Sequence, residues 1–250
     1  MKELYITGAG VSAESGIPTF RGKDGFWTIG SKNYTPQEMA TRYMYENNPI
    51  EFLVWYYKRF AKYRNMLPNK VHKWLSNKKL ITQNIDGLDE KAGNKGYIAI
   101  HGKLDKVTLF HDQGVEVEIL DAPWHTISNE CPDEEDKEKL SYILLDFFRI
   151  SKSTLKPEKM RSLKPFVLLF DEYYTNIYKI NEAESWMKNS KKIIFLGTSF
   201  SVNITSIALN YACANKSIIE IVDPKPISLN IDNVKYHKMT ANEYIQKLSV

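Results

Sequence analysis

The first sixteen residues restrict the fold more than any other part of this chain. The apolar run 4–7, Leu-Tyr-Ile-Thr, passes directly into Gly8-Ala9-Gly10, with another small residue, Ala13, three positions on. This matches strand, glycine turn and helix start in an α/β nucleotide-binding unit, where residues without bulk let backbone N–H groups approach a diphosphate at a helix N-terminus. By itself the spacing also suits a hydride-transfer enzyme. Such an enzyme carries an acidic residue some twenty positions on to hold a ribose, and residues 27–34 contain no acid. The chemistry therefore has to be sought elsewhere in the chain.

Further strands obey the same logic. Residues 80–82 and 97–100 read as strands, and the apolar runs at 166–170, 193–196 and 218–222, separated by helical stretches, read as strands buried on both faces of a parallel sheet. The expected fold class is α/β, a Rossmann-like doubly wound parallel sheet with a smaller inserted domain. Residues 1–102 and 165–250 are assigned to the nucleotide-binding domain, with a long ordered loop at 22–49 and helical segments at 50–63 and 69–75. Residues 103–164 change character, from an acidic cluster at 130–138 through an amphipathic stretch to a basic, serine-rich one, and are assigned to the insert.

Composition closes off other classes. Hydrophobic residues at 43% and charged residues at 26% are ordinary globular usage, which excludes disordered, collagenous and coiled-coil chains. Thirty-four bases against thirty acids leave +4 without long basic runs, so no nucleic-acid partner is expected. No apolar run approaches the roughly 18 residues of a membrane span. No membrane partner is expected, and without an apolar leader after Met1 the cytosol is the expected compartment. The two cysteines, Cys131 and Cys213, cannot form paired CxxC motifs, so no metal site is expected.

The residues after the first glycines are more specific. The run GAGVSAESGIPTFRG at 8–22 resembles the signature of the sirtuins, NAD-dependent protein-lysine deacylases. The resemblance continues, in the family's order, through TQNIDGL at 82–88, IHG at 100–102, FDE at 170–172 where the family has FGE, and GTS at 197–199. It implies NAD as cofactor, held by Gly8, Ala9, Gly10, Glu14, Phe20 and Arg21 in the first block. Gln83, Asn84, Ile85 and Asp86 would serve in the second, and Gly197, Thr198 and Ser199 in the last. Ile17, Phe20 and Ile85 are expected to wall a dry pocket for the leaving nicotinamide, with Asn84 and Asp86 holding its carboxamide. His101 matches the family's general base, and imidazole suits reversible proton movement near neutral pH. The products implied are nicotinamide and O-acyl-ADP-ribose.

The resemblance further implies an acyl-lysine peptide or protein as partner, bound as an extended strand between Phe170-Asp171-Glu172 and the segment at Val202. Tyr56 and Arg59, three apart on an expected helix, resemble a YxxR pair with which some sirtuins recognise malonyl- or succinyl-lysine. The chain departs from the family at Asp171, at Ile204 where proline is usual, and at Val222 where asparagine is usual. It also lacks the two CxxC pairs that hold a structural zinc, so Trp124, Tyr142 and the Leu-Leu-Asp-Phe-Phe run at 144–148 are expected to supply packing instead. Two other readings stay open: a sirtuin-like NAD hydrolase or ADP-ribosyltransferase, and a non-catalytic NAD-sensing module, against which Asn84, Asp86 and His101 argue.

Overall fold

The computed structural model describes residues 2–19 and 34–248. Its first half contains β1 (Glu3–Thr7), α1 (Pro36–Met39), α2 (Arg42–Asn47), α3 (Pro49–Tyr63), α4 (Lys70–Leu75), β2 (Leu80–Thr82), α5 (Leu88–Lys91) and β3 (Ile98–Ala99). Then come β4 (Gly102–Leu109), β5 (Ile119–Asp121), α6 (Trp124–Glu130), α7 (Lys137–Phe147) and β6 (Leu163–Val167). The last third holds α8 (Ile180–Lys188), β7 (Lys192–Leu196), α9 (Asn203–Ala214), β8 (Ile218–Val222), β9 (Val234–His237) and α10 (Ala241–Leu248). None of the described helices is long and apolar enough to cross a membrane.

The chain divides into two compact units. The first comprises Met1–Thr19, Met66–Ile100 and Tyr178–Val250 and is built on a six-stranded sheet in the order β3-β2-β1-β7-β8-β9. Every pairing in it is parallel. Both faces are covered. Tyr5, Ile194 and Leu196 share one cluster with Val71 and Leu75 of α4 and Tyr244 and Ile245 of α10. Leu4, Ile6, Ile193 and Phe195 are equally buried, as are Ala183 of α8 and Ala208 of α9. This double burial produces the unbroken apolar runs in the sequence, each such Leu or Ile contributing about 1.5–3 kcal/mol of transfer free energy. From β1 the sheet is built outward through β2 and β3 on one side and, later in the chain, through β7, β8 and β9 on the other, which makes the end of β1 the switch point where α/β sheets bind ligands.

The second unit, Phe20–Asn65 with His101–Ile177, contains an antiparallel three-stranded sheet, β5-β4-β6, and helices α1, α2, α3, α6 and α7. Here the sequence expectation needs correction. The apolar run at 166–170 is not a strand of the parallel sheet: β6 pairs antiparallel with β4, Val107 opposite Pro165 and Leu109 opposite Leu163. All five residues of β6 are buried, and burial on both sides gives the same apolar signature whichever sheet a strand joins. With residues 34–65 also in this unit, it is larger than the expected insert at 103–164.

The long loop expected at 22–49 is likewise corrected in its second half; residues 20–33 lie outside the described residues. Thr35 and Glu38 form a reciprocal capping box on α1, and Thr41 accepts from the Met44 N–H at the start of α2. Helices of four and six residues are too short to show a 3.6-residue period, so only these caps announce them. Of the packing residues expected in the insert, Trp124 is fully buried, Leu144 and Phe148 are buried, but Tyr142 is 61% exposed with the Lys152 ammonium over its ring. Among the described residues no group of three His, Cys, Asp or Glu is placed to hold a metal.

Candidate active-site residues

In the first unit the glycine turn and the end of β7 meet backbone to backbone. The Gly8 N–H donates to the Leu196 carbonyl and the Gly10 N–H to the Gly197 carbonyl. A Cβ on Gly10 would fall 2.6 Å from the Gly197 Cα, and Gly197 itself holds φ +59. Only glycine tolerates both the approach and the left-handed backbone there. After this contact the expected helix start resolves into two 3₁₀ turns, Ala9–Val11 and Ala13–Ser15, ended by Gly16 at φ 84. Glu14 and Ser199 are exposed, with the Ser199 hydroxyl 2.7 Å from that of Ser201. Phe20 and Arg21 lie outside the described residues.

The turn after β2 supplies the polar part of the site. Gln83 donates from Nε2 to the Thr7 carbonyl and to the Thr198 hydroxyl, tying the ends of β1, β2 and β7 together. Asn84 is buried and donates from Nδ2 to the Gly8 carbonyl at 3.0 Å and to Ser12 Oγ at 3.1 Å. Ser12 in turn donates to Asp86 Oδ2 at 2.7 Å, while Asp86 Oδ1 accepts from the Leu88 N–H. Sequence separations of 72 and 74 residues are thus closed by side chains at strand ends. Ile17 is buried and Ile85 half-buried beside these groups in the chain.

Sequence reasoning missed two members of this constellation. His72, fully buried on α4, lies 3.4 Å from Ser12 Oγ through Nε2 and 3.1 Å from Asn69 Oδ1 through Nδ1. Burial lowers the basicity of its ring, with Asp86 acting in the opposite direction. Asn69 caps α4 and also bonds the Val11 carbonyl, so the cap residue before His72 was the available signal. Asp89 on α5 is 2% exposed, and burial followed by the charge of Asp86 pushes its carboxyl up to about 7 against a hydrogen bond from Thr82.

The second unit carries His101 at the head of β4. Its carbonyl accepts from the Leu168 N–H, and Gly102, at φ +83, brings β4 so close to β6 that a Cβ would sit 2.0 Å from the Phe166 carbonyl oxygen. The Phe170-Asp171-Glu172 segment comes just after β6. Phe170 is half exposed, and its N–H donates to the Ala40 carbonyl. Asp171 accepts at one oxygen from the Arg42 N–H and at the other from the Tyr43 N–H, an anionic cap on α2. Glu172 is turned inward: Oε2 accepts from Lys164 Nζ at 3.1 Å and from the Leu169 N–H, and Oε1 from Arg42 Nη1 at 3.3 Å. The carboxylates of Asp171 and Glu172 are therefore committed to holding this segment.

Tyr56 and Arg59 both lie on α3, at 2% and 4% exposure. The Arg59 guanidinium sits 3.2 Å from the centroid of the Trp55 ring and donates to the Trp55 carbonyl. Burial pulls its pKa down to about 9, so it stays charged at neutral pH, and burial raises that of Tyr56. Val202, in extended conformation at φ −123 and ψ 150, precedes α9, into which the buried Ile204 is taken up. Val222 is buried at the end of β8.

Comparison with known proteins finds relatives over nearly the whole chain. Residues 8–204 match the model of the Sir2 family. An NAD-dependent protein deacylase 1 of Caldanaerobacter subterraneus subsp. tengcongensis is 31% identical over 98% of this chain and 91% of its own length. An NAD-dependent protein deacylase of Bacteroides thetaiotaomicron is 28% identical over 99% and 97%. Among solved structures, a Sir2 homologue in complex with NAD matches at a TM-score of 0.72 and 28% identity, covering 98% of this chain and 87% of that one. With glycine turn, QNIDG network and histidine strand head all falling inside the matched region, the chain belongs to the Sir2 family, the sirtuins.

Proposed function

We propose that this sirtuin, an NAD-dependent protein deacylase, removes acyl groups from lysine side chains with His101 as general base. The observation that carries the reading is the Asn84–Ser12–Asp86 network, buried at Asn84 and Ser12 and half-buried at Asp86, built at the switch point beside the Gly8–Gly10–Gly197 contact. These residues fit a dinucleotide. Small residues at the turn admit a diphosphate close to the backbone, and the carboxamide and carboxylate of the turn after β2, linked through the Ser12 hydroxyl after β1, can hold the amide of a nicotinamide. NAD supplies the leaving nicotinamide and the ribose that takes the acyl group. Asn84 and Asp86 orient the amide, while Ile17 and Ile85 keep water from competing. His101 takes the ribose hydroxyl proton at a ring nitrogen. Phe170 and the extended backbone at Val202 are each assigned to main-chain recognition of the substrate peptide, a mode that tolerates many sequences.

The test incubates the protein with NAD and a panel of acyl-lysine peptides, with mass spectrometry of the products. Acyl-ADP-ribose formed in step with free lysine is expected. Replacement of His101 by alanine should lower that turnover by at least the roughly 100-fold of a positioned base. Free ADP-ribose released at the same rate without peptide would refute the reading in favour of NAD hydrolysis.

A further inference from the structure

The histidine assigned as base has a neighbour with no part in the reaction so far. The phenol oxygen of Tyr174 lies 3.0 Å from Nε2 of His101, and the two rings run nearly parallel, 18° apart with centroids 5.9 Å from each other. The main chain of His101 is fixed separately, by the Leu168 N–H on its carbonyl and by the close passage of Gly102 over β6. Backbone anchoring does not set the two side-chain torsions of a histidine, so a second contact decides where its nitrogens point.

Tyr174 is held well enough to supply that contact. It comes directly after a segment braced by Asp171 on the N–H groups of Arg42 and Tyr43, and by Glu172 on Lys164 and Arg42. The adjacent Tyr173 hydroxyl donates to the Gln113 carbonyl. A hydrogen bond at one imidazole nitrogen also determines the proton state of the other, which is what a general base needs defined before its substrate arrives.

We propose that Tyr174 is the positioning residue of the catalytic histidine: its hydroxyl sets the tilt of the His101 ring and commits one ring nitrogen, preparing the base for acyl transfer. This rests on the assignment of His101 as general base. It predicts a split between two partial reactions. Release and re-addition of nicotinamide precede the step that needs the base, so a loss confined to Tyr174's oxygen should appear in deacylation and not in exchange.

The experiment compares full-length wild type, Tyr174→Phe and His101→Ala with one acyl-lysine peptide, measuring steady-state deacylation and peptide-dependent exchange of labelled nicotinamide. Phenylalanine keeps the ring stack and removes only the hydroxyl. Expected for Tyr174→Phe is a fall of about 3- to 10-fold in kcat, the range that one neutral hydrogen bond spans, with peptide KM and exchange within about twofold of wild type. Tyr174→Leu should show at least the same loss in kcat. Wild-type or faster kcat in Tyr174→Phe, with His101→Ala inactive, overturns the proposal alone. A parallel loss of KM, exchange and melting temperature also overturns it, as a packing role. Wild-type deacylation by His101→Ala removes the base assignment, and this proposal with it.

Discussion

Replacing Lys164 by methionine tests how the Phe170-Asp171-Glu172 segment is held. Lys164 Nζ donates to the Val167 carbonyl at 3.0 Å and to Glu172 Oε2 at 3.1 Å, and both side chains of the pair are only 4% exposed. Burial lowers the lysine pKa while the glutamate raises it, which marks the ammonium as costly to bury and dependent on its partner. Methionine fills similar volume but leaves a carboxylate in the interior. Breaking a buried pair in this way costs roughly 3–5 kcal/mol. Glu172 keeps Arg42 at 3.3 Å and the Leu169 N–H at 3.1 Å, so the lower figure, about 3 kcal/mol, applies. At about 2–4 °C per kcal/mol for a chain of this size, the melting temperature should drop by roughly 6–12 °C. Urea unfolding of wild type, Lys164→Met, Glu172→Gln and the double variant forms the assay. In the double variant the stranded charge is gone, and at least half of the loss should return. A single variant within about 1 kcal/mol of wild type, or a double variant worse than Lys164→Met, would refute the reasoning.

Two other outcomes are expected from buried charges. If Tyr56 and Arg59 line the acyl pocket, a charge-assisted hydrogen bond of roughly 1.5–3 kcal/mol gives on the order of 10- to 150-fold preference in kcat/KM for succinyl- or malonyl- over acetyl-lysine. Arg59→Met should erase that preference, and equal acetyl turnover by wild type would leave α3 as packing. In the first unit Glu220 accepts from Tyr244, Lys192 and His237. Burial works to raise its pKa, but these partners outweigh it and the net effect is downward. A depressed carboxylate stabilises above its unfolded pKa and loses that contribution as pH falls through the folded one, so Glu220→Gln should flatten the acid limb of a stability-versus-pH curve. A limb of unchanged slope would count against the network.

What the sequence disclosed depended on range. Gly8 and Gly10 stood out because the strand-to-glycine-turn spacing is local and Gly197 because it lies in a motif block, whereas the close backbone contact between Gly10 and Gly197 joins distant parts of the chain. The apolar run of β6 was misassigned because antiparallel pairing with β4 is decided by partners about sixty residues apart, which no local period encodes. Buried polar pairs are harder still. Lys164 reads as one base in a basic stretch, Tyr174 as one of fifteen tyrosines, and His72 as a helix residue. Each acquires a role only from the atom it faces: Glu172, His101 and Ser12.

The second unit has no paired cysteines of the kind that the sirtuin resemblance implies around a structural zinc, and Trp124 is expected to supply packing in their place. It is fully buried on α6, its ring 4.9 Å from Phe148 and 6.1 Å from both Tyr57 and Phe60, so α3 and the end of α7 meet α6 around it. Its indole N–H donates to the Leu104 carbonyl at 2.7 Å, adding β4 to the junction. Trp124→Ala would forfeit about 3–5 kcal/mol of packing, and a further 1–3 kcal/mol, roughly, for the carbonyl left unpaired. Together these come to about 4–8 kcal/mol, a substantial part of the roughly 10–16 kcal/mol that zinc supplies to a small metal-dependent module. Purified protein should therefore contain well under one zinc per chain and keep its activity and melting temperature in chelator. Trp124→Ala should lose the cooperative unfolding of this unit, whereas Trp124→Phe, which keeps a ring but not the donor, should fall between. Stoichiometric zinc by elemental analysis, leaving together with activity, would show that a metal and not this aromatic junction holds the unit.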